Sequence, residues 1–220
     1  VKDADPAKAL RVSGLSFPGI PGIILGHNEH VAWGATVAGY DVTDVYAETL
    51  TADGSAVKYQ GKDVPITTIE EVIKIDGAAP YTYRVRVVPH HGPILPTIKA
   101  DHTVADPDPT KGALSVKWTG HEATEEIAAV VGLLRAKNVD EARASLAKFG
   151  VGAQNWMLGD TDGNILWTSH ARVPIRDAQS FAWSSSTFTG RLPCLVLPGD
   201  GSAEWKGFLP DDMVPWAKSP

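Results

Sequence analysis

Seven histidines among 220 residues are the first candidates for acid–base chemistry or metal binding. Their spacing argues against a shared ion. His90 and His91 are adjacent, and on a strand adjacent side chains point to opposite faces, so this pair is expected to be structural or exposed, not chelating. His27, His30, His102, His121 and His170 form no H-x-x-x-H or H-E-x-x-H pattern, which disfavours a zinc hydrolase. The G-x-S-x-G elbow, the G-x-x-x-x-G-K-[ST] loop and the G-x-G-x-x-G turn are missing as well. Asp160-Thr161-Asp162-Gly163-Asn164 has the opening of a calcium loop, but Ala171 stands where such a loop needs its bidentate acid. Asp-Gly between Asn155-Trp156-Met157-Leu158 and Ile165-Leu166-Trp167 therefore reads as the tight turn of a hairpin. Cys194 is the only cysteine; it can make no internal disulfide and is expected to be a small buried apolar residue.

The elements that would carry these residues are mostly strands. Twenty-one glycines and sixteen prolines punctuate short runs rich in Val, Ile, Thr, Tyr and Trp. Ile23-Ile24-Leu25, Val31-Ala32-Trp33 and Val45-Tyr46-Ala47 read as strands separated by Gly26-His27-Asn28 and Gly39-Tyr40-Asp41. Val64 to Val88 is rich in β-branched and aromatic residues around Asp76-Gly77-Ala78, which predicts another hairpin. One region has a helical period. From Glu122 to Ala136, Ile127, Val130, Val131 and Leu134 fall at i, i+3, i+4 and i+7, with acids at the start and Arg135 and Lys137 at the end. A second helix follows, with Asn138 as N-cap, Glu141 three residues on, a face of Val139, Ala142, Leu146 and Phe149, and Gly150 as its stop.

Composition sets the outer bounds. With 43% hydrophobic and 21% charged residues the chain has ample material for a core. A formal charge of −6 leaves no electrostatic footprint for nucleic acid or an anionic membrane surface. No apolar run approaches the ~20 residues of a membrane span, and no signal core follows Val1-Lys2-Asp3, so any export signal is expected elsewhere in the gene.

Several blocks occur in a fixed order: Phe17-Pro18-Gly19-Ile20-Pro21-Gly22, Gly26 to Thr36, Asp41-Val42-Thr43-Asp44-Val45-Tyr46-Ala47-Glu48, His91-Gly92-Pro93-Ile94, Gln154-Asn155 with Asp160 to Asn164, and Trp205-Lys206-Gly207-Phe208-Leu209-Pro210. Together they resemble the β subunit of the penicillin acylase (penicillin amidase) family of N-terminal nucleophile hydrolases. The resemblance implies an α+β fold, the β-rich part of an αββα sandwich, interrupted by a helical pair at about residues 122–150, with residues 1–220 as one fragment. It also implies hydrolysis of a linear amide by a serine at the start of the β subunit, whose own α-amine is the base; an α-amine with a pKa near 7.7–8.0 suits that role. Val1 cannot be that nucleophile, so the chain is expected to begin after the serine and to be inactive alone.

Carried over residue by residue, the resemblance places the oxyanion donors at the backbone N–H of Val37 and the side-chain amide of Asn155. Arg176 aligns with an arginine near the active site, and a surface arginine without a role is its alternative. Asp41, Thr43 and Asp44 match a calcium-binding stretch, against which stands a simple exposed turn. Calcium binding by this chain alone is expected to be weak. Trp33, Val37 and Trp156 are candidates for an apolar acyl pocket, although aromatic residues at such places are more often core. The implied partners are a small amide substrate, the α subunit and the N-terminal part of the β subunit, in the periplasm or outside the cell. A non-catalytic β-rich domain of the same ancestry is the competing reading.

Overall fold

Asp160 organises the hairpin foreseen around it in the computed structural model, which describes residues 9–219. Its Oδ1 accepts from the backbone N–H groups of Asp162 and Asn164 at 3.1 and 2.9 Å and from the Asn164 amide at 3.0 Å. A carboxylate engaged in this way shapes a turn. Its Oδ2 accepts from the Val139 N–H at 3.1 Å, which ties the turn to the start of a helix. Val1 lies outside the described residues.

The chain divides into two compact units. The first comprises residues up to Val42, Glu122–Val173 and Phe208 onward. It holds one antiparallel sheet in the order β1 (Ser13–Leu15), β2 (Leu25–His27), β3 (Val31–Val37), β4 (Gln154–Asp160), β5 (Ile165–His170) and β6 (Trp216–Ser219). Register is set by side-chain alternation. Trp33 lies opposite Leu158 and Ala35 opposite Trp156, and Val31, Trp33, Trp156, Leu158 and Leu166 all enter one core. Two helices cover that face, α1 (Glu126–Leu133) and α2 (Val139–Leu146), contributing Leu133, Val139, Ala142 and Leu146. Each such Leu or Val side chain, fully buried, stabilises the packing by ~1.5–3 kcal/mol.

The helices differ from the sequence reading in detail. The Asn138 cap forms as expected, its Oδ1 accepting from Glu141 N–H at 2.8 Å. However, α1 begins at Glu126, not Glu122, and its buried face is Ala129, Val130 and Leu133. Ile127 and Val131 are exposed, because the apolar stripe of α1 is wider than the contact it makes with the sheet. Gly150 does not stop α2, which ends at Leu146; instead its N–H donates to the Glu126 carboxylate at 3.0 Å.

The second unit comprises Thr43–His121 and Pro174–Gly207. Its central strand, Thr43–Glu48, pairs antiparallel with Ala113–Trp118 and parallel with Val196–Pro198. The foreseen hairpin is present as Thr67–Ile73 against Tyr81–Val88. A second hairpin, Ala56–Tyr59 with Lys62–Pro65, turns through Gln60 and Gly61 at φ 48° and 74°, the left-handed pair of a type I′ turn. Two expectations fail in this unit. Cys194 is exposed, since it sits in a loop after Leu192-Pro193 and not on a core strand. His90 and His91 occupy the turn between Tyr81–Val88 and Gly92–Pro93, where strand alternation does not apply, and their rings lie 4.4 Å apart.

Candidate active site

Val37 and Asn155 come together at one end of the β3–β4 ladder. Ala38 N–H donates to Ala153 O at 2.9 Å, and antiparallel strands alternate hydrogen-bonded and non-bonded pairs. Val37, one residue earlier and opposite Gln154, therefore turns its N–H and C=O away from β4. On that side β2 reaches only to the level of Gly34, because Gly26 pairs with Trp33 and Leu25 is its first residue. The Val37 N–H thus points past the end of β2.

Asn155 Nδ2 donates to this same Val37 carbonyl at 3.2 Å, and Asn155 Oδ1 accepts from the indole N–H of Trp167 at 3.2 Å. The indole can only donate and the carbonyl can only accept, so the amide has one orientation that satisfies both. One Nδ2 hydrogen serves Val37 O. The other is taken by neither of these partners. A side-chain amide hydrogen and a strand-end backbone N–H are donor types that can stabilise a negative oxygen.

The opposite face of the same ladder borders an apolar cavity of about 450 Å³. Phe17, Ile20, Ile127, Val130, Phe149 and Trp156 supply its walls, and Val37 and Gln154 reach its rim. Val37 is 75% exposed, although it ends a core strand. Glu126, also on the wall, accepts from the N–H groups of Gly150 and Val151 at 3.0 and 2.9 Å. Burial raises its pKa, but hydrogen bonds from Thr124 and these amides outweigh it and hold the carboxyl below the usual range. It is a charged anchor for the chain after α2, not a proton donor. Trp33, by contrast, is core: it is buried and donates to Ile24 O at 3.0 Å.

A Thr168–His170–Asp211 line in the same unit looks like a relay, with His170 Nε2 3.1 Å from Thr168 Oγ1 and Nδ1 3.3 Å from Asp211. Thr168 is 0% exposed, so no substrate reaches it.

Arg176 lies in the second unit and is not a surface arginine, its side chain being 7% exposed. Its Nε contacts both oxygens of Asp44 at 3.1 and 2.9 Å and its Nη2 donates to Oδ1 at 3.0 Å. The Trp205 indole donates to Asp44 Oδ2 as well. A carboxylate offers about four lone-pair directions. Asp44, fully buried, spends them on N–H donors, one of them a cation. In this arrangement it does not fit a calcium ion, which needs oxygen lone pairs and repels a guanidinium. Thr43 is exposed at the start of its strand, and Asp41 is exposed in the segment between β3 and that strand.

Several of these features escaped the sequence reading. The Phe17–Ile20 wall sits in a Pro- and Gly-rich segment that carries no period, and Ile127 entered the sequence reading only as part of a helical period. Trp167 was noted only as a strand residue; its spacing of two from Ser169, the partner of Asn155, places it on the Asn155 face of the sheet.

Comparison with known proteins gives concordant matches. The family model for penicillin amidase matches residues 5–220. Penicillin G acylase of Escherichia coli is 33% identical over 202 residues, which is 91% of this chain and 21% of that protein. Acyl-homoserine lactone acylase QuiP of Pseudomonas putida is 27% identical over 213 residues, 96% of this chain and 23% of that protein. The solved structure of a thermostable penicillin G acylase from Alcaligenes faecalis superposes with a TM-score of 0.78 at 26% identity, covering 96% of this chain and 35% of that one. The α+β fold is therefore that of an N-terminal nucleophile hydrolase. The chain spans about a fifth to a quarter of the length of the curated relatives it matches.

Proposed function

The chain belongs to the penicillin amidase family, and on that footing we propose that it is part of an amidohydrolase that cleaves a linear N-acyl amide through a seryl acyl-enzyme. The observation that carries the reading is the Asn155 amide bonded to the Val37 carbonyl at the end of a strand ladder that borders an apolar cavity.

In the proposed step the serine hydroxyl, supplied from outside this chain, attacks the amide carbon while its α-amine takes the proton. The carbonyl oxygen becomes anionic as the carbon turns tetrahedral. The Val37 N–H and the second Nδ2 hydrogen of Asn155 receive that charge. Donors of this kind are worth ~3–4 kcal/mol each in the transition state, because they are already in place when the charge develops. Collapse of the intermediate breaks the C–N bond, the amine leaves with the proton, and water releases the acyl group by the same route. The cavity takes the acyl part, and its aliphatic and aromatic walls favour an aryl or alkyl chain.

Arg176 acts in this reading as the buried counter-ion of Asp44, and no step runs through calcium. The remaining partners are the α subunit and the N-terminal part of the β subunit, in the periplasm or outside the cell. Penicillin G acylase and acyl-homoserine lactone acylase, two of the relatives, bear names of enzymes that remove an acyl group.

The test is kinetic. In the full-length protein that carries this chain, chromogenic aryl- and alkyl-acyl amides should be hydrolysed, and Asn155→Ala should lower kcat by ~10²–10³ with little change in KM. The chain by itself should give no turnover. A full-length protein without amidase activity, or one indifferent to Asn155→Ala, would favour the non-catalytic binding domain.

A further inference from the structure

In the second unit, Glu48, His90 and His91 each bring one donor atom to within 4.8 Å of the other two. Glu48 rises from the central strand, its side chain wholly buried. The two histidines come from a turn that the fold presses inward: Gly92, at φ 114°, lies so close to Val116 O that a Cβ there would collide with it. The rings are held on their faces. Tyr46 stacks on His91 at 3.7 Å and 6°, and Tyr59 covers His90 at 3.7 Å.

Two atoms in this cluster have no hydrogen-bond partner although they are buried, Glu48 Oε2 and His90 Nε2. Buried polar groups are paired in the great majority of cases, and two such orphans in one cluster call for a shared partner. A carboxylate oxygen and an imidazole nitrogen both offer lone pairs, so one cation satisfies them together.

We propose that Glu48, His90 and His91 bind a divalent transition-metal ion of the zinc class, as a structural site. Two imidazoles and one carboxylate are a zinc-type donor set, whereas calcium and magnesium prefer oxygen alone. Glu204 completes the arrangement. Its Oε1 lies 2.8 Å from His91 Nε2 and its Oε2 3.4 Å from Lys117 Nζ, so it orients the imidazole as a carboxylate–histidine–metal relay requires. This leaves His91 Nδ1 for the ion. Nδ1 is now 2.6 Å from Glu48 Oε1, which also accepts from Ser115 Oγ at 2.6 Å. On binding, the ion meets both Glu48 oxygens, so that Oε2 gains the partner it lacks and Oε1 exchanges the Nδ1 hydrogen for the ion; that proton leaves to water, and Nδ1 and Oε1 part to the roughly 3.3 Å set by bonds near 2.0 Å. The ion then ties the His90–His91 turn to the central strand.

The test uses the protein that carries this chain, stripped with a chelator and titrated with Co²⁺ as a visible reporter and Zn²⁺ as competitor. The expected result is one ion per chain with the intense visible bands of tetrahedral cobalt, displaced by Zn²⁺. His90→Ala and Glu48→Gln should each weaken binding at least tenfold, while His102→Ala, an exposed histidine of the same unit, should leave it unchanged. Glu48 is a core residue, so His90→Ala carries the test if Glu48→Gln fails to fold. Zn²⁺ should raise the Tm of the wild type and not that of His90→Ala. Absence of stoichiometric binding, or binding and a Tm rise indifferent to His90→Ala, would overturn the proposal.

Discussion

The Trp167 indole donates to Asn155 Oδ1 at 3.2 Å and thereby decides which end of the amide faces Val37. Without it, only the Val37 carbonyl holds the amide, and the second Nδ2 hydrogen proposed to meet the oxyanion is less firmly aimed. Trp167→Phe keeps an aromatic ring and removes the donor together with part of the indole volume, so Tm is read beside kcat to separate the two effects. The full-length enzyme should lose up to about tenfold in kcat, as expected for a net hydrogen bond of ~1 kcal/mol, with KM unchanged. An unaltered kcat in a folded Trp167→Phe variant would remove Trp167 from the positioning of Asn155.

The proposed acyl pocket can be tested at a position that the core does not need. Ile127 is 47% exposed yet lines the cavity wall, so replacing it should disturb substrate more than stability. Ile127→Asp places a carboxylate where an apolar chain would lie. For aryl-acyl amides kcat/KM should fall at least tenfold, mostly through KM, while Tm changes by no more than a few degrees. If kcat/KM for these amides is unchanged, the acyl group lies elsewhere.

How much of this was legible beforehand depends on whether a feature is local. The Asp160–Asn164 hairpin and the Asn138 cap each draw on residues within five positions, and both were readable from spacing alone. The Val37–Asn155 pair joins strands 118 residues apart, and only the resemblance pointed to it. The opposite-face placement of His90 and His91 failed because alternation was applied to a turn. Ile127 was readable as part of a helical period but not as a cavity wall, because amphipathic periodicity does not say whether an apolar face meets a sheet or a cavity.

The Asp44–Arg176 pair gives a stability prediction and a calcium prediction from one geometry. Both side chains are buried, at 0% and 7% exposure. Asp44→Asn would keep the shape and withdraw the negative charge, leaving a buried guanidinium without this counter-ion. A loss of ~3–5 kcal/mol is expected, read as a shift in the urea midpoint, and Arg176→Met in the same background should recover part of it. Because Asp44 is committed to Arg176, adding Ca²⁺ to the chain should leave Tm unchanged. A saturable rise in Tm would mean that calcium displaces the guanidinium.

His170 supplies the pH dependence. Burial pushes its pKa down from 6.5 to about 4, with Asp211 pulling it up and Arg143 pushing it further down. In the unfolded chain the imidazole takes up a proton near its ordinary pKa, whereas the folded state refuses it until about 4. The stability that follows from a neutral buried His170 is therefore complete above 6.5, declines as the pH falls, and is lost once the folded-state value is passed. Across that window the loss amounts to about 3 kcal/mol at most. Urea unfolding at about pH 7.5 and about pH 4.5 should show the wild type losing ~2–3 kcal/mol more than His170→Gln, which cannot take up the proton. Equal losses in the two proteins would mean that His170 is already protonated in the folded state, with Asp211 as its effective counter-ion.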